Sequence, residues 1–116
     1  MSTSVIDMPT FLNLKSEMGE DFIVELVETY LTDAQNLFAE MNRSLLAEDC
    51  DSFQRAAHSL KSTSASFGAV NLSALAKELE MMGKSKSLDG AAPRIDLAAS
   101  EFSQVEKALK ELIHGG

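Results

Sequence analysis

The sequence predicts an all-α protein, an antiparallel four-helix bundle with a short N-terminal lead-in helix. Apolar residues recur at steps of three and four through most of the 116 residues, the spacing that lines one face of a helix. The prolines, Pro9 and Pro93, both lie near the chain ends, so a long central stretch is free of the strongest helix breaker. No alternating strand pattern of useful length, internal repeat or low-complexity block appears.

Residues 10–17 read as the lead-in helix, with Thr10 as its cap, Phe11, Leu12 and Leu14 as its apolar residues, and an end near Gly19. Glu20 and Asp21 suit the start of a long helix over 20–47. Its apolar stripe is Phe22, Leu26, Tyr30, Ala34, Leu37, Met41 and Leu45. The polar break Glu48-Asp49-Cys50-Asp51-Ser52 offers several caps for the next helix, which should end at Gly68. So short a connection makes these two helices antiparallel neighbours. Leu72, Leu75, Leu79 and Met82 define a further helix stopping near Gly83, and residues 84–90 form a polar loop. Pro93 fits the first turn of a last helix carrying Ala98, Phe102, Val105, Leu109 and Leu112. Four helices, each apolar on one stripe, can bury those stripes against one another.

The bulk numbers bound the function. A chain of this length is one domain, residues 1–116, able to bury a core without staples. A net charge of −8 opposes binding to phosphodiester backbones, so nucleic acid is not an expected partner. No apolar run approaches the roughly 20 residues that span a bilayer, and the N-terminus lacks a secretory signal, so the expected location is cytoplasmic, with no membrane partner. Cys50, the only cysteine, excludes an intramolecular disulfide and a cysteine-rich zinc site, and reads as a helix-boundary residue.

His58 is the residue that points to chemistry. On a helical projection Phe53, Ala57, Leu60, Ser64 and Phe67 fall within about 40° of one line, and His58 lies roughly 140° from it, toward water. A lone exposed histidine is ordinarily just solvated. Here Gln54, Lys61, Ser62 and Ala65 surround it at i−4, i+3, i+4 and i+7, with Arg55 at i−3. Arg55 and Lys61 would favour an anionic group on or near the ring, and the small Ser62 and Ala65 leave room for another protein. Taken singly, these are equally ordinary solvated charges and small residues.

His58-Ser59-Leu60-Lys61-Ser62, then Gly68-Ala69, then Leu72, Leu75 and Leu79-Glu80 resemble the histidine-containing phosphotransfer (HPt) domain family. Asp21-Phe22, Leu26 and the polar break before Ala57-His58 extend the resemblance over nearly the whole chain. Ser62 stands where many members have glycine, and beyond Gly83 only the helical character matches. The resemblance implies a phosphoryl carrier of a multistep two-component phosphorelay, without kinase activity, in which His58 takes a phosphoryl group from one receiver-domain aspartate and passes it to another. It implies that Lys61 neutralises phosphoryl oxygens. Glu80 is either a surface helix charge or, by the same resemblance, the group that contacts the imidazole and fixes its tautomer. Gly68 reads as a helix terminator, not a contact residue.

The implied partners are receiver domains of response regulators and of hybrid sensor histidine kinases, met by a monomer. No Walker loop or kinase glycine-rich loop is present, so no cofactor is expected, and the Mg²⁺ that assists the transfer is expected on the receiver partner. No metal ligand is assigned, since a carboxylate-bridged metal bundle needs Glu-x-x-His pairs and position 55 is arginine. A histidine-kinase dimerisation domain usually follows its histidine with an acidic residue and a nearby proline, unlike Ser59 and the proline-free stretch after it. A helical adaptor with a replaceable His58 is the alternative from another class. His114 reads as a favourable charge at a helix C-terminus, and Met1 favours a free-standing protein over a piece of a hybrid kinase.

Overall fold

A computed structural model describes residues 5–114, so the sequence features read at residues 1–4 and 115–116 lie outside the described residues. Five helices follow in order: α1 (Met8–Met18), α2 (Glu20–Ala47), α3 (Cys50–Ser66), α4 (Val70–Lys84) and α5 (Ala91–His114). Packing runs α2 on α3, α3 on α4, α4 on α5 and α5 back on α2, which closes a four-helix ring, while α1 lies across α2 and α3. At 1.5 Å per residue the 28 residues of α2 span about 42 Å, and the molecule is 43 Å along its longest axis.

The lead-in helix starts earlier than its sequence suggests. Asp7, not Thr10, is the cap, accepting hydrogen bonds from the Thr10 backbone N–H and hydroxyl, and Pro9 sits in the first turn, where its missing N–H leaves nothing unsatisfied. Phe11 is buried as expected, but Leu12 is 53% exposed. The start of α2 also differs. Phe22 is 58% exposed and Leu26 only partly buried, and the core seam is Ile23, Val27, Tyr30, Ala34 and Met41. Each four-residue step advances about 40° past a full turn, so a series of fours drifts off the face that steps of four and three hold.

Asp49 caps α3, accepting from the Ser52 backbone N–H at 3.1 Å and from its hydroxyl at 2.8 Å. All five residues assigned to its inner face, Phe53, Ala57, Leu60, Ser64 and Phe67, are buried. Cys50, half-buried, opens the helix. The helix ends at Ser66, and Gly68 then takes φ +84°, a left-handed conformation that favours glycine. Gly68 thus ends the helix as expected, and it also packs against the segment before α1. The Asp7 N–H donates to its carbonyl at 2.7 Å, and a Cβ there would lie 2.7 Å from the Asp7 carbonyl oxygen. As expected, α4 stops near Gly83, ending one residue on at Lys84, and the glycine is buried. Pro93 lies in the first turn of α5, whose Ala98, Phe102, Val105 and Leu109 are buried, with Leu112 partly so.

One polar pair lies inside the core. Ser64 and Tyr30 share a hydrogen bond of 2.8 Å between their hydroxyls, and the Tyr30 ring stacks on Phe67 at 4.5 Å and meets Phe102 edge-on. Burial pushes the Tyr30 phenol up to about 12, outweighing the opposite effect of the Ser64 hydrogen bond, so it stays protonated. Ser64→Ala strands the phenol and should cost about 1–3 kcal/mol in urea unfolding. Tyr30→Phe combined with Ser64→Ala removes both polar groups and should recover part of that loss; a double variant no more stable than Ser64→Ala would contradict this account.

Candidate functional site

The site begins with the rotation of α3. Because Ala57 and Leu60 are fixed in the core, the intervening His58 and Ser59 must face outward, and the His58 side chain is 57% exposed. Lys61, one turn on, follows it along the same flank. Opposite them lies α4, whose buried Leu72, Ala76 and Leu79 turn the next residue, Glu80, toward α3.

Glu80 is 13% exposed and uses both carboxylate oxygens. Oε2 lies 2.7 Å from His58 Nδ1 and Oε1 lies 2.7 Å from Lys61 Nζ. The Lys61 hydrogen bond, with a further contribution from His58, holds the Glu80 carboxyl below its usual range, although burial opposes this. An ionised carboxylate can only accept, so Nδ1 carries the proton it donates to Glu80. The lone pair of the neutral ring is then on Nε2, on the exposed side chain. Glu80 is therefore a bridge between the imidazole and the ammonium, and its reading as a surface charge does not hold.

The remaining candidates separate in space. Gln54, Arg55, His58, Ser59 and Glu80 line one surface groove. Arg55 is drawn toward the start of α3, donating to Ser52 Oγ at 3.2 Å. Lys61 is committed to Glu80. The two cations thus do not ring the imidazole as independent charges. Ser62 and Ala65 are exposed farther along α3, outside that groove. Ser59 belongs to the groove without having been singled out in the sequence. Ser73 was missed as well: its hydroxyl donates to the Lys61 carbonyl oxygen at 2.9 Å, a contact between helices for which spacing within one helix carries no signal. Among the described residues no group of three or more His, Cys, Asp or Glu is placed to hold a metal ion, and no helix is long and apolar enough to cross a membrane. His114 is exposed in the last turn of α5.

Residues 25–115 match the Hpt domain family. The chain belongs to that family. Among Hpt relatives, phosphorelay protein LuxU of Vibrio cholerae is 27% identical over 101 residues, covering 87% of this chain and 89% of that protein. Histidine-containing phosphotransfer protein 1 of Oryza sativa subsp. japonica is 26% identical over 103 residues, 86% of this chain and 69% of its own length. The crystal structure of histidine-containing phosphotransfer protein B (HptB) from Pseudomonas aeruginosa superposes with a TM-score of 0.91 at 27% identity, covering 99% of both chains. This Hpt chain is accordingly a histidine phosphotransfer protein of a multistep phosphorelay, a family of phosphocarrier intermediates that interact with receiver domains.

The lowered Glu80 carboxyl value carries a pH signature. A carboxyl more acidic in the folded than in the unfolded chain adds stability that is present above its ordinary value of 4.5 and lost as pH falls through the lower folded value. Wild type should exceed Glu80→Gln in urea stability at pH 7, with the gap narrowing below about pH 4.5. Parallel stability curves from pH 7 to pH 3 would count against the bridge.

Proposed function

We propose that His58 Nε2 is the phosphoacceptor and that Glu80 and Lys61 tune it. The observation that carries this is the 2.7 Å hydrogen bond between His58 Nδ1 and Glu80, which directs the ring's lone pair to Nε2. In the forward step the Nε2 lone pair attacks the phosphorus of a receiver aspartyl phosphate. An N–P bond forms, the O–P bond breaks, and its electron pair returns to the aspartate carboxylate. The ring keeps its Nδ1 proton and becomes cationic, a charge that Glu80 stabilises through the existing hydrogen bond. Transfer to the aspartate of a second receiver reverses these events.

Lys61 supplies the positive charge for the phosphoryl oxygens. Its Nζ is held beside the ring by Glu80, and once the dianionic group arrives the ammonium can be shared between the carboxylate and the phosphoryl oxygens. Gln54, Arg55, Ser62 and Ala65, together with Ser59, form the surface that meets the receiver; the small exposed side chains at 62 and 65 permit close approach. The partners are receiver domains of response regulators and of hybrid sensor histidine kinases, met by a cytoplasmic monomer that binds neither nucleic acid nor membrane. The chain acts as a carrier without kinase activity or a cofactor of its own, and Mg²⁺ is supplied by the acidic pocket of the receiver.

Incubation with a phosphorylated receiver should label wild type with acid-labile, alkali-stable phosphate. His58→Gln should take no label, and label surviving in that variant would sink the assignment. Lys61→Ala should lower the transfer rate by roughly tenfold or more while leaving the acceptor in place, as loss of a charged hydrogen bond requires.

A further inference from the structure

The Glu80 bridge depends on how closely α4 approaches α3, and one turn away that approach leaves no room for a side chain. On α4, Gly83 follows Glu80 by three residues; on α3, Gln54 precedes His58 by four. A Cβ added to Gly83 would lie 2.9 Å from both the Cβ and the backbone nitrogen of Gln54 and 3.0 Å from the Cys50 carbonyl oxygen. Two of these three atoms belong to helix backbone, and the third is the first side-chain atom, so none can swing aside as the end of a flexible chain would.

Gly83 carries no positive φ among the glycines with left-handed backbone, which are Gly19, Gly68 and Gly90. Turn geometry therefore does not require glycine there. Glycine is a poorer helix former than alanine, and with no positive φ to accommodate, what it provides in the last turn of α4 is the short distance between the helices. Seven residues before Glu80, Ser73 ties α4 to the Lys61 carbonyl oxygen at 2.9 Å. Glu80 is bracketed by two close contacts, and only the one at Gly83 depends on a missing side chain.

We infer that Gly83 is a positioning residue for phosphotransfer, holding α4 near enough to α3 for Glu80 to reach His58 Nδ1 and Lys61 Nζ together. Carbon atoms pack at about 3.5–4.0 Å, so a methyl group at 83 forces the helices apart by about 0.5–1 Å. A hydrogen bond of 2.7 Å opened by that amount stretches to about 3.2–3.7 Å, from the limit of effective geometry to beyond it. The bridge then loses its hold on one donor, and the imidazole is no longer committed to the Nδ1–H tautomer.

The inference rests on Nε2 as the acceptor, and its primary readout needs no phosphate. Nitrogen-15 spectra of the His58 ring should show the Nδ1–H tautomer dominant in wild type and a mixture in Gly83→Ala, with the helical circular dichroism retained. Transfer from a phosphorylated receiver should fall about 10- to 100-fold in Gly83→Ala, the scale expected for an ångström of misplacement. In a Glu80→Ala background the same substitution should cost less than about twofold, because the group it positions is gone.

A folded Gly83→Ala with the wild-type tautomer would overturn the inference, as would an equal loss of rate with and without Glu80, the mark of a merely structural role. If Gly83→Ala does not fold, Gln54→Ile wedges the same contact from α3, and an unchanged tautomer in that variant overturns the inference equally. Failure of wild type to carry phosphate on His58 would instead remove the functional reading and leave the tautomer result standing.

Discussion

A single carboxylate accepting from two cationic or polar donors on a neighbouring helix is the interaction on which this molecule's site depends. Glu80 takes one hydrogen bond from His58 Nδ1 and another from Lys61 Nζ, each at 2.7 Å. Neither donor is sufficient by itself to define the chemistry. The imidazole hydrogen bond selects the nitrogen that keeps its proton, and the ammonium keeps the carboxylate ionised so that it can only accept. Because Glu80 is only 13% exposed, water competes poorly for those oxygens, while the 57% exposed imidazole remains open to a partner.

Such a bridge is useful only on a rigid frame, and the bundle supplies one. The inner face of α3 is anchored by Phe53, Ala57 and Leu60, which are fully buried, so the helix cannot roll to hide His58 without exposing them. At its C-terminal end Phe67 stacks on Tyr30, Ser64 pairs with the Tyr30 hydroxyl, and Gly68 receives the Asp7 N–H. The lead-in helix thus clamps the turn between α3 and α4 and leaves the middle of α3 clear. Exposure of His58 and immobility of its helix come from the same packing.

How much of this was legible in the sequence differs by element. The inner face of α3 and the stripe of α5 were readable because their apolar residues alternate steps of three and four, which tracks 3.6 residues per turn. The beginning of α2 was not, since Phe22 and Leu26 belong to a run of fours that drifts, and α1 settles against Ile23 and its neighbours. Thr10 looked like a cap because its residue type fits; Asp7 won because its carboxylate accepts from both the Thr10 backbone N–H and the hydroxyl. At the site, the positions of His58 and Lys61 on one flank followed from spacing alone, whereas the choice between two roles for Glu80 did not.

By itself the sequence determined the helical class, the exposure of His58, and the family pattern that gave it meaning, because these depend on periodicity and local order along one chain. Tertiary structure decided what lies across from what. That Glu80 meets the imidazole and the ammonium, that Ser73 reaches the Lys61 carbonyl oxygen, and that Gly83 faces Gln54 without a side chain between them are all consequences of how α4 is seated on α3. The physical reason is distance. Hydrogen bonds of 2.7 Å fail when stretched by more than about half an ångström, and the separation of two packed helices is set by the side chains of both.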